Sequence, residues 1–293
     1  MIPWHLFVSY KDNHCIMSTS EKPNRVRVVV WTVPRSGSTV FIKSVTSNGD
    51  VKGFFEPYAV AEHYGPEGRL KLPEGGPEEP TYTVEAVKGW LEADDTSARS
   101  VFVKDLAYAV DGRYHVMPKG YRNSFLIRKP ISVFKSYYRV CSRMTGDPEQ
   151  NYRDWLPKDV NIFKCLSDLV EYVESNLKED FCILDVEDVM KNPAEMMKKY
   201  CDNVGLIYNE GLLHWEQGTP DEDTWVMGKA IREAEAELQW GTNCTTSTGW
   251  GKGIKQPPAE GEVFPKVVYD MAEFALPYYE KLRNHPKCFH LDS

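Results

Sequence analysis

Pro34-Arg35-Ser36-Gly37-Ser38-Thr39 places one cation, three hydroxyls and a glycine within six residues. The β-branched run Val26-Arg27-Val28-Val29-Val30-Trp31-Thr32 precedes it, and Val40-Phe41-Ile42-Lys43-Ser44-Val45, which reads as an amphipathic helix, follows. A polar loop between a strand end and a helix start gathers unpaired backbone N–H groups at the positive end of the helix dipole, which suits an anion. Small residues let the backbone approach a phosphate, Arg35 adds charge, and Ser36, Ser38 and Thr39 add donors. The segment is not the G-x-x-x-x-G-K-[ST] loop of nucleoside triphosphatases: it lacks the first glycine and the Lys-Ser/Thr pair that serves magnesium. A second unit of the same kind is Asn123-Ser124-Phe125-Leu126-Ile127-Arg128, then Lys129, then a helix through Val133, Phe134, Tyr137, Tyr138 and Cys141 with Pro130 at its first position. Arg128 at the strand end and Ser136 eight residues on can both reach an anion over the carboxyl end of a parallel sheet, where ligands of such sheets bind. For either unit alone, the plain alternatives are a polar turn without a ligand and a surface arginine.

Together the two units resemble the sulfotransferase superfamily, whose members use 3′-phosphoadenosine 5′-phosphosulfate. A P-[KR]-S-G-[ST]-T loop in that family holds the 5′-phosphosulfate, and an Arg with a Ser eight residues on, in an R-x-P context, grips the 3′-phosphate. Pro34 to Thr39 and Arg128-Lys129-Pro130 with Ser136 fit both patterns. Leu184-Asp185-Val186-Glu187-Asp188-Val189-Met190-Lys191-Asn192-Pro193, followed by Val204-Gly205-Leu206, resembles a third, structural stretch of the family. The resemblance covers roughly Val26 to Leu206. It implies an α/β fold with a central parallel sheet flanked by helices, of P-loop nucleoside-kinase-like topology. It also implies a phosphosulfate cosubstrate, adenosine 3′,5′-bisphosphate as product, and no metal.

Sulfuryl transfer leaves negative charge on the bridging phosphate oxygen, so cations must face it. Arg35 is one such cation; Lys104 is the second, because Val103-Lys104-Asp105 resembles the family strand that carries Lys-Thr-His in cytosolic members. The family's catalytic His is replaced here by Asp105 or Leu106, so the base must come from elsewhere. Phe55-Glu56-Pro57 resembles the F-E-P element of Golgi carbohydrate sulfotransferases, which makes Glu56 the leading general base and Asp105 its competitor. His63 and His115 are weaker candidates, since isolated histidines are mostly satisfied structural residues. Ser247-Thr248-Gly249-Trp250-Gly251-Lys252-Gly253 loosely resembles the late loop that closes over the nucleotide, with Thr248, Gly249 and Lys252 as contacts. Leu213-His214-Trp215 and Trp225 could shape the acceptor pocket or the adenine site, with core packing the stronger reading for the tryptophans.

Further elements position these residues. A strand is expected at Val101 to Asp105, a helix from Phe163 to Leu177, a strand at Phe181 to Asp185, a helix opened by Asn192-Pro193-Ala194-Glu195, and a last helix around Val263 to Leu282. Strands alternating with helices specify a parallel sheet. Residues 1–24 read as an N-terminal extension, the Gly/Pro/Glu-rich stretch 65–80 as a surface loop or lid, and Gly218 to Gly253 as irregular, all within one domain over 1–293. With 35 Lys+Arg against 43 Asp+Glu, the net charge of −8 disfavours nucleic acids and long polyanions. No run approaches the roughly 18 to 20 apolar residues of a membrane span, and no leader is evident. The seven cysteines stand singly, without C-x-x-C, which fits reduced thiols and a cytoplasmic protein better than disulfides or zinc. The expected partner is therefore a small-molecule acceptor; oligomeric state is not encoded. A P-loop nucleotide or nucleoside kinase is the alternative enzyme, and a catalytically silent nucleotide-binding protein the alternative without chemistry.

Overall fold

The computed structural model describes residues 25–47, 49–70, 77–94, 98–155, 160–238, 241–251 and 262–291. Among these residues seven strands form one sheet in the order β6-β2-β3-β1-β4-β5-β7, with every pairing parallel. They are β1 (Val26–Thr32), β2 (Val51–Phe55), β3 (Ser100–Leu106), β4 (Arg122–Ile127), β5 (Cys182–Asp185), β6 (Trp225–Met227) and β7 (Cys288–Phe289). The sheet is buried on both faces, so its central strands are continuous β-branched and aromatic runs rather than alternating ones. Val29, Trp31, Val101, Val103, Phe125 and Ile127 point to one apolar layer, and Val28, Val30, Phe102, Leu126 and Leu184 to the other.

The helices are α1 (Ser38–Thr46), α2 (Pro57–His63), α3 (Val84–Glu92), α4 (Pro130–Cys141), α5 (Pro148–Trp155), α6 (Ile162–Tyr172), α7 (Val186–Lys191), α8 (Pro193–Val204), α9 (Lys229–Leu238), α10 (Thr242–Thr246) and α11 (Lys266–Arg283). Local chemistry sets several of their starts. Pro130 opens α4. The Asn192 side chain accepts from the Glu195 amide ahead of Pro193 in α8, and Asn161 accepts from the Phe163 and Lys164 amides in α6. The expected helix to Leu177 is α6 continued by a π turn over Val173–Leu177.

The stretch 218–253, expected to be irregular, instead contributes an edge strand and two helices among its described residues. Trp225 is drawn into the sheet edge: it stacks on Phe55 with ring centroids 5.3 Å apart, and its indole N–H donates to Thr46 Oγ1 at 2.9 Å. β2 tolerates Gly53 because Trp225 lies where a side chain would go; a Cβ there would meet Trp225 Cδ1 at 2.9 Å. Of the 65–80 stretch, the described ends are held to the body: the Glu79 amide donates to Tyr64 O at 2.9 Å and Leu70 N to Glu62 O at 3.3 Å. The intervening residues 71–76 lie outside the described part.

Candidate active site

Because all strands run parallel, the segments leaving β1, β2, β3, β4 and β5 emerge at one edge and surround a cavity of about 170 Å³. Five of the six residues Pro34 to Thr39 line it; Ser36 does not. The Ser36 side chain is fully buried and its hydroxyl bonds to Thr32 Oγ1 at 2.6 Å, while Thr32 also donates to Leu126 O at 2.8 Å. Ser36 thus ties the loop to the sheet from inside, which corrects its expected part as a side-chain donor to phosphate. Arg35 and Gly37 adopt left-handed backbone, with φ of 63° and 90°. Only glycine suits the second position, where a Cβ would also meet Val186 Cγ2 at 3.0 Å. Among the described residues no side chain caps α1, so its first N–H groups stay open at the cavity end of the loop.

The two sequence units converge here. Arg35 Nε donates to Ser136 Oγ at 3.2 Å, and Arg128 Nη1 donates to Arg35 O at 3.1 Å. Arg128 lines the cavity, and its buried Nε has no hydrogen-bond partner among the described residues. Burial depresses its pKa, opposed by Glu187 and Asp185. A largely desolvated guanidinium in the wall of the cavity is suited to pairing with an anion.

Across the cavity, Glu56 and Lys104 form a close ion pair. Lys104 is 2% exposed and lies over the Phe55 ring, 4.6 Å from its centroid. Glu56 sits at the N-cap of α2 with φ of 54°, held by its amide bonding to Lys104 O at 2.7 Å. Asp105 does not reach the cavity. Adjacent strand residues point to opposite faces, so with Lys104 turned inward Asp105 turns toward the start of α2. There it accepts from Tyr58 N at 2.6 Å, Ala59 N at 3.1 Å and Leu106 N at 2.8 Å. Burial pushes its carboxyl up to about 7 against those amides. Its geometry is that of a buried helix anchor, which corrects its candidacy as the base.

The rest of the wall is largely aromatic and apolar, including Tyr64, Tyr108, Tyr137, Val140 and Met144. Burial raises the phenols, Tyr64 to about 12 and Tyr108 well above the usual range, and pushes the Cys141 thiol up to about 12. His63, weighed as a satisfied residue, lines the cavity and bonds Tyr108 Oη at 2.7 Å. These tyrosines carried no sequence signal beyond Tyr137 following Ser136 on α4. Thr248 and Gly249 are absent from the cavity wall. Gly249 bridges to His214, and Thr248 O accepts from Trp215 N at 3.2 Å. Trp250 does line the cavity, its indole N–H donating to Ser44 Oγ at 3.1 Å. Lys252 lies outside the described residues. Trp215 and Trp225 are core residues as expected, and His115 is exposed and away from the cavity. Cys141, Cys165, Cys182, Cys201, Cys244 and Cys288 are buried and not paired in disulfides among the described residues; Cys15 lies outside the described residues. Among the described residues no group of three or more His, Cys, Asp and Glu is arranged to hold a metal ion, and no helix is long and apolar enough to cross a membrane.

No protein-family model matches the chain. It is 24% identical over 275 residues to branched-chain-amino-acid aminotransferase-like protein 2 of Arabidopsis thaliana, covering 88% of this chain. The chain spans only 41% of that protein's length. It is 25% identical over 266 residues to the sulfotransferase ppzF of Metarhizium rileyi, covering 69% of this chain and 76% of that one. Among solved structures, the sulfotransferase domain from the curacin biosynthetic pathway aligns with a TM-score of 0.49 and 12% identity, over 85% of this chain and 96% of that one. A mouse sulfotransferase complexed with PAP aligns with a TM-score of 0.43 and 13% identity, over 89% and 86%. The chain resembles the sulfotransferase superfamily.

Proposed function

We propose that the chain is a sulfotransferase moving a sulfuryl group from 3′-phosphoadenosine 5′-phosphosulfate to a hydroxyl or amine of a small acceptor. The observation that carries this is the meeting of Arg35, Arg128 and Ser136 at the open start of α1, with the Glu56–Lys104 pair on the facing wall. The largely desolvated guanidinium of Arg128 in the cavity wall and the glycine cradle at Gly37 fit a phosphate-bearing nucleotide. When bound, the nucleotide supplies the sulfuryl group, whose bond to the 5′-phosphate oxygen breaks as the acceptor atom bonds to sulfur.

The residues divide the work. Arg128 and Ser136 hold the 3′-phosphate, while the amides of the loop with Ser38 and Thr39 hold the 5′-phosphate. Arg35 and Lys104 face the oxygen that gains charge. Glu56 takes the acceptor proton through Oε2, with Oε1 held by Lys104. The small cavity and its aromatic wall support a small acceptor rather than a polymer.

Calorimetry with adenosine 3′,5′-bisphosphate and with ATP, each with and without magnesium, tests the reading. The bisphosphate is expected to bind more tightly than ATP, independently of magnesium. Tighter binding of magnesium-ATP would replace the proposal by a kinase.

A further inference from the structure

Tyr108 and His63 both line the cavity within the electrostatic reach of Glu56, and their hydrogen bonds fix which way protons point. His63 Nδ1 lies 2.5 Å from Leu70 O. A carbonyl oxygen only accepts, so Nδ1 must carry the proton and donate. Burial lowers the His63 pKa, so the ring stays neutral and Nε2 is a bare acceptor. Tyr108, 2.7 Å from Nε2, therefore donates its only hydroxyl proton to His63. The two rings meet edge to face with centroids 5.6 Å apart, which limits reorientation. What Tyr108 can still offer is an oxygen lone pair. The neighbouring carboxylate of Glu62 is fully buried between Arg69 and Arg113 and does not compete for the dyad's protons.

We infer that Tyr108, oriented by His63, is a specificity-determining residue that selects acceptors carrying a second hydrogen-bond donor besides the reacting group. The inference rests on the sulfotransferase proposal. The reacting hydroxyl or amine donates to Glu56 and the second donor to Tyr108. Diols, catechol-type phenols and amino alcohols satisfy both. A mono-methyl ether satisfies one and leaves the Tyr108 oxygen, already desolvated, without a partner. His63 acts through Tyr108 and is a positioning residue.

The experiment is steady-state sulfation of matched pairs, a catechol-type diol against its mono-methyl ether and an aliphatic diol against its mono-ether, with adenosine 3′,5′-bisphosphate binding measured on every variant. Wild type is expected to favour the diol about tenfold in kcat/KM beyond the statistical factor of two. Tyr108→Phe should bring the ratio to about the statistical value, and His63→Leu should do the same. His63→Gln should retain most of the preference, because its amide can donate to Leu70 O while its carbonyl accepts from Tyr108. A merely structural His63 would not distinguish Gln from Leu in this ratio. Transfer without discrimination in wild type, or a ratio unchanged in Tyr108→Phe, overturns the inference and leaves the sulfotransferase proposal standing. Absence of both transfer and bisphosphate binding overturns the proposal and the inference with it.

Discussion

Replacing Arg128 by alanine should separate binding from folding. Its guanidinium spends one donor, Nη1, on Arg35 O, and its buried Nε on nothing among the described residues. Truncation removes the hydrogen bond to Arg35 O, worth about 1 kcal/mol. It also relieves the desolvation of a buried cation. These effects oppose each other, so the ligand-free variant should match wild-type stability within about 1 kcal/mol. A charge-assisted bond to phosphate is worth about 1.5 to 3 kcal/mol, so affinity for adenosine 3′,5′-bisphosphate should fall roughly tenfold to 150-fold. At a ligand concentration one hundred times the wild-type Kd, ligand stabilises wild type by about 2.7 kcal/mol; a hundredfold loss of affinity reduces this to about 0.4 kcal/mol. Thermal unfolding with and without ligand reads both quantities, and calorimetry checks the affinity. Arg128→Lys keeps the charge but loses the planar fork, so it should fall between the two. A folded Arg128→Ala protein with unchanged affinity would refute the grip on the 3′-phosphate.

Glu56→Gln should lower kcat by about 10² to 10⁴ with nucleotide affinity within a few-fold, checked by steady-state kinetics beside calorimetry; near-normal turnover would remove Glu56 as base. Ser36→Ala should cost about 1 kcal/mol in chemical denaturation while leaving nucleotide affinity nearly unchanged, because its hydroxyl is spent on Thr32. Asp105→Asn concerns pH. The native carboxyl, raised to about 7, keeps a proton that the unfolded chain releases near 3.8. Its contribution to stability is therefore fully present below that lower value and is lost as pH rises through about 7. Asparagine does not titrate, so the stability gap between wild type and variant should narrow from pH 4 to pH 8. Parallel curves in urea titrations would contradict the assignment.

Much of the frame was legible in the chain. The β-branched run over Val26–Thr32 and the proline-opened helix over Pro130–Cys141 have the bounds that pattern and capping predict. Such features are local: a continuous apolar run has nowhere to go but a sheet buried on both faces, and Pro130 fits only where no amide is needed. The edge strands were not legible. β2 contains Lys52 and Gly53, β6 has three residues and β7 two. Each is a strand because a neighbour supplies the ladder, and Trp225 enters only because Gly53 leaves room for it.

The same division runs through the site. Residue types and spacing marked the loop at Arg35 and the Arg128–Ser136 unit as places suited to an anion, and the family resemblance put forward Glu56 and Lys104 as candidates. Which side chains face the cavity was decided by tertiary structure, through the pleat and the hydrogen-bond partners. One residue's displacement along β3 puts Lys104 beside Glu56 and Asp105 under α2. Ser36, between two cavity-lining neighbours, turns inward to Thr32. The bond between His63 and Tyr108 spans 45 residues of sequence, and no local pattern encodes it. It exists because the end of α2 and the turn after β3 are carried to the same edge by a parallel sheet, where side chains distant in the chain become neighbours.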